Sequence, residues 1–202
     1  MAIDSKDAFL HVIYDYRCLA TAGYAWSVAG PSGTQSVIES ADKLLPEVGT
    51  MIQDSILLHA RSLIDFYTKQ NPRSTDIVLS RFSNSLAINS TLMSYLEDKK
   101  HPIEVHLLHL TDWRDVSHRT NNANTADGST RGRPDWNVEN TVIVSKLVEA
   151  LKEVSQQQSQ WQKPFTELHS AVVARLADGA FDWPVNLREK QEVESYLVGL
   201  GL

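Results

Sequence analysis

At 202 residues, with 42% hydrophobic and 22% charged side chains, the chain has the composition of an ordinary globular domain able to bury its own core. A formal charge of -6 disfavours a general nucleic-acid coat and leaves only a local basic patch for that role. Cys18 is the single cysteine, so no internal disulfide is possible and a cysteine-based zinc site lacks ligands; a cytoplasmic setting is expected.

The N-terminus carries Asp4, Lys6 and Asp7 and no long apolar core, so neither a secretory signal nor a membrane span is readable, and no membrane partner is expected. From Asp7 to about Ala29, Phe9, Val12, Ile13, Tyr16, Leu19 and Ala20 recur at spacings of three and four, the repeat of a helix burying one face. Gly30-Pro31-Ser32-Gly33 marks a loop. A second helical pattern starts near Thr34, and Pro46 is expected to kink or end it.

From about Glu47 to Lys69 the residues Met51, Ile52, Ile56, Leu63, Ile64 and Tyr67 form one stripe that Leu57, Leu58, Ala60 and Phe66 widen. A helix apolar on most faces belongs at the centre of its bundle. A helix over roughly Ser83–Glu97 should turn at Asp98-Lys99-Lys100-His101, with Pro102 opening the next one. That next helix is expected over 102–116, and Thr120 to Pro134 is a polar loop. Helical periodicity resumes over 138–155 and from Trp161 to Leu176, with a break placed near Gln162-Lys163 by Pro164. A short helix from about Leu187 to Leu197 closes the chain. The reading is one all-α domain over residues 1–202, a bundle of six to eight helices centred on those over 50–69, 102–116 and 138–155.

The ionisable groups on these apolar helices are the chemical signal, since each costs free energy in a core unless partnered. Gly-x-x-x-x-Gly-Lys, Gly-x-Gly-x-x-Gly, His-Glu-x-x-His and Gly-x-Ser-x-Gly are all absent, which disfavours P-loop, Rossmann, zincin and α/β-hydrolase chemistry. Arg61 and Asp65 stand four apart and can pair within their helix, while His59 points elsewhere; the three are read as a structural polar network. His106 and His109 with Asp112 or Glu104 would begin a metal site. Arg114 and His118 face each other across one turn, a permanent cation beside an acid–base group near neutral pH, which is what metal-free RNA cleavage requires. Arg119, Arg131 and Arg133 follow on the polar loop. The competing reading pairs Arg114 with Asp115 and places His118 at a helix C-terminus.

His59-Ala60-Arg61-Ser62-Leu63-Ile64-Asp65-Phe66-Tyr67, followed by His109-Leu110-Thr111-Asp112-Trp113-Arg114 and Trp136, resembles a group of bacterial helical proteins over about half the chain. More remotely, Arg114 and His118 late on a core helix make the chain similar to HEPN domains, although set closer together than that family's usual Arg-to-His spacing. The resemblance implies an all-α, HEPN-like bundle that forms homodimers. It is either a binding module for an RNA or protein partner or a metal-independent ribonuclease of toxin or defence type. In the second case Arg114 and His118 would be catalytic, with His109 assisting. A binding or interaction module without a cofactor is the leading expectation, the ribonuclease the first alternative, and a metal-dependent enzyme at His106, His109 and Asp112 the second.

Overall fold

A computed structural model describes residues 5–29, 45–108, 136–177 and 190–202. Among the described residues there are six α-helices, one 3-10 turn and no strand. The helices are α1 (Ser5–Ala29), α2 (Leu45–Thr68), α3 (Ser90–Leu108), α4 (Trp136–Gln157), α5 (Ser159–Ala177) and α6 (Lys190–Gly199). None is long and apolar enough to cross a membrane.

Most of the stripe positions read from sequence face the interior; Met51 (68% exposed) and Leu58 (57%) of α2 do not. Val12, Tyr16, Leu19 and Ala20 of α1 are buried against Ile56, Leu57, Ala60, Leu63 and Ile64 of α2 and Ile143, Val144, Leu147 and Leu151 of α4. Residues 109–116 of the helix expected over 102–116 lie outside the described residues. α1 packs on α2, α4 and α5, whereas the described part of the helix expected over 102–116 packs chiefly on α2. α1 buries residues along its length through Trp26, and among its described side chains α3 buries Leu92, Leu96, Ile103 and His106.

At one end of the bundle Trp161 is fully buried, with Phe9 at 4.6 Å and Phe82 at 5.2 Å between ring centroids, and Phe66 at 5.8 Å. Edge-to-face rings at these distances gain beyond their burial, roughly 0.5–1.5 kcal/mol per pair. Near the middle, the Tyr16 hydroxyl donates to the Leu147 carbonyl at 2.9 Å. Its hydrogen being spent there, the Tyr67 hydroxyl donates to Tyr16 Oη at 2.6 Å, so one chain of hydrogen bonds ties α1, α2 and α4. Burial raises both phenols well above their ordinary pKa.

Pro46 falls in the first turn of α2, where a missing N–H costs nothing, while the helical pattern read from Thr34 lies outside the described residues. Pro102 lies inside α3, and the turn expected at 98–101 is helical. Contacts on both sides of the proline hold that helix through: Leu96 and Ile103, seven residues apart, are fully buried, and Lys99 and Lys100 are anchored to neighbouring helices. The α4–α5 break comes at Gln158, before the predicted site, and Pro164 is tolerated early in α5.

α3 starts at Ser90, later than predicted, because Asn89 caps it: its side-chain carbonyl accepts from the Leu92 N–H at 2.9 Å. Two side chains of α4 hold the preceding segment. Glu153 accepts from the Asn89 N–H at 2.8 Å and from its amide, while Gln157 accepts from the Ala87 N–H and donates to the Ala87 carbonyl. α6 ends in a Schellman motif at Gly201, whose φ of 80° is left-handed; the Leu202 N–H reaches the Leu197 carbonyl at 3.1 Å and the Gly201 N–H that of Val198 at 2.9 Å.

Candidate functional site

The polar groups on α2 divide between two neighbours. Toward α3, Asp54, Arg61 and Asp65 present the charges minus, plus, minus, and His106, Glu104 and Lys100 answer them in antiparallel order. Lys100 Nζ is 2.6 Å from Asp65 Oδ1, Arg61 donates to Glu104 at 3.4 Å, and His106 Nε2 lies 3.2 Å from the Asp54 carboxylate. Arg61 and Asp65, expected to pair with each other, each cross to α3 instead. Four residues separate Arg61 from Asp65 and Lys100 from Glu104, so two facing helices satisfy both pairs at once. Glu104 entered the sequence reading only as a metal ligand and Lys100 only as a turn residue. The matched spacings on two helices were the signal that would have joined them.

Toward α1, Asp15 accepts from both His59 and Ser62. His59 Nδ1 is 2.8 Å from Asp15 Oδ1, and the Ser62 hydroxyl donates to Oδ2 at 2.7 Å. His59 and Ser62 are three apart and share a helix face, so a single carboxylate braces both. Burial disfavours the imidazolium of His59, yet hydrogen bonds to the Asp15 carboxylate and to Cys18, with the negative charge each carries when ionised, outweigh it and raise its pKa to about 9. His59 is therefore a cation at neutral pH. Asp15 is one turn before Cys18 on α1, and neither stood out in the sequence reading as a partner for this histidine.

Beside this brace opens a cleft of about 500 Å3, lined by residues of α1, α2 and the segment after α2, among them Asp15, His59, Arg61, Ser62, Asp65 and Asp76. Lys69 Nζ, also in the lining, is 2.9 Å from Asp76, whose carboxyl is held below its ordinary pKa by that lysine and by the Arg73 N–H. His59, Arg61 and Asp65 thus meet at one cleft, by way of partners on different helices.

Arg114, His118, His109 and Asp112 lie outside the described residues, as do Arg119, Arg131, Arg133 and the loop over 120–134. His106 is described and buried, held between Asp54 and the Gln53 amide, 3.2 Å from each. Among the described residues no three histidine, cysteine, aspartate or glutamate side chains gather as a metal would require. No family model, curated protein or solved structure matches the chain.

Proposed function

We propose that this chain is a HEPN-like cytoplasmic binding module, that the cleft between α1 and α2 receives a segment of a protein partner, and that the module works as a homodimer. The observation that carries the reading is the state of the cleft: its polar groups are fixed by one another before any ligand arrives, as in a preformed recognition site. Its lining sets three carboxylates, Asp15, Asp65 and Asp76, against three cations, His59, Arg61 and Lys69. A phosphate backbone needs an excess of cations, so this balance favours a peptide of mixed charge over RNA.

Selection of a displayed random peptide library on the purified chain tests this. Selected peptides should lose affinity for His59→Ala and Arg61→Ala; peptides that bind both variants as tightly as wild type would place recognition elsewhere. A ribonuclease using Arg114 and His118 is the second reading, favoured by the arginine-bearing stretch that follows them. Incubation with labelled RNA in EDTA separates the two. Cleavage lost in both Arg114→Ala and His118→Ala would replace the binding reading, and no cleavage by wild type removes the nuclease.

A further inference from the structure

The outer face of α1 is patterned as though for another helix. Asp7, Leu10, Tyr14, Arg17 and Thr21 follow at intervals of three, four, three and four, the heptad seam along which helices pair. These are not core positions. Leu10 is 56% and Tyr14 54% exposed, Asp7 and Arg17 are exposed and Thr21 is half-buried, while the core of α1 lies at Val12, Tyr16, Leu19 and Ala20. The seam stops after Thr21, since Tyr24 turns into the bundle against Tyr196. It extends sideways onto α2: the Tyr14 ring meets His59 edge-on at 6.1 Å, and Leu58, next to His59, is 57% exposed.

We propose that this seam is the surface on which a second copy of the chain docks, α1 against α1 in antiparallel orientation about a two-fold axis near Val12. The sequence of the seam is complementary to its own reverse. With the axis there, Asp7 faces the partner's Arg17, Leu10 faces the partner's Tyr14, and both relations repeat by symmetry, as an isologous contact requires. Antiparallel pairing of this kind joins each first seam position to the other helix's second, which is the alternation these residues have. A parallel arrangement would set Asp7 against Asp7 and Arg17 against Arg17, so the charges select the antiparallel one. The two apolar pairs supply the buried centre and the two ion pairs its ends.

The inference rests on the self-association proposed above and assigns it a surface, and the test keeps the two apart. Asp7→Lys and Arg17→Asp are exposed changes that should leave the fold and its circular dichroism intact. Each alone puts like charges at both ends of the seam and should weaken the dimer by roughly tenfold in sedimentation equilibrium. Mixed together, the two variants restore complementarity at both ends. At one end the introduced lysine meets the introduced aspartate, and at the other the retained Arg17 of the first variant meets the retained Asp7 of the second. A differently tagged pair should therefore form the mixed dimer in preference to either self-dimer. Wild-type dimers that neither variant weakens would overturn the seam while leaving self-association standing. A wild-type chain that stays monomeric at hundreds of micromolar would overturn both, and weakening in each variant without recovery in the mixture would overturn the antiparallel register.

Discussion

Lys100 Nζ stands 2.6 Å from Oδ1 of Asp65, and that oxygen is closed off from solvent although both side chains keep part of their surface in water. The two ends of the pair are therefore unequal. Lys100 can swing out and be hydrated; the Asp65 oxygen cannot. Removing the lysine leaves a buried acceptor behind, which costs about 1–3 kcal/mol, whereas an exposed ion pair is worth about 0–1 kcal/mol.

Lys100→Ala should accordingly destabilise the chain more than Glu104→Ala, whose partner Arg61 keeps 35% of its side chain exposed. Urea unfolding of the two variants measures this. The double variant Asp65→Ala/Lys100→Ala should recover part of the loss, since no stranded carboxylate remains. Equal losses in the two single variants would mean that the buried oxygen plays no special part.

His59 gives the joint between α1 and α2 a pH dependence of definite sign. Its pKa in the folded chain, about 9, lies above the ordinary histidine value of 6.5. The stabilisation is thus complete below about pH 6.5 and declines as pH rises through 9. Chemical unfolding between about pH 6 and 10 should show that decline, and Asp15→Asn should flatten it by removing the carboxylate that accepts the proton bond. A histidine resonance titrating near the ordinary value in the wild-type chain would contradict it.

Gly23 of α1 faces Tyr196 of α6 and Val144 of α4. A Cβ there would stand 2.5 Å from the Tyr196 hydroxyl and 3.1 Å from both Val144 methyls. Gly23→Ala should therefore cost about 1–3 kcal/mol through overpacking, although alanine is the better helix former. Tyr196→Phe in the same chain should return part of the loss by withdrawing the nearest atom. A stabilised Gly23→Ala, seen as a higher midpoint of thermal unfolding, would show that the helices part there at little expense.

Periodicity was the part of the fold most readable in the amino-acid order. α1, α2 and α4 each bury most of the apolar stripe read for them, and apolar spacing of three and four marks a helix. Proline was less readable because its meaning depends on what surrounds it. Pro46 and Pro102 carry the same local signal, yet one opens a helix and the other sits within one because Leu96, Ile103 and two anchored lysines bridge it. The polar network was half readable. His59, Arg61 and Asp65 stood out as charges on an apolar helix, but their partners Asp15, Lys100 and Glu104 lie on other helices, far away along the chain, where only folding brings them near. Glu153 and Gln157 escaped notice for the same reason: an exposed polar side chain gives no sign that it will hold a distant backbone.

The alternating charges between α2 and α3 also act as a vernier. Sliding α3 one turn in one direction would bring Glu104 opposite Asp65; one turn in the other would bring Lys100 opposite Arg61. Both displaced positions set like charges face to face, so the two helices have one stop and no neighbouring notch. Each one-turn displacement replaces an opposite-charge pair with a like-charge one, so the alternation favours the observed register of α2 against α3 over its two nearest neighbours.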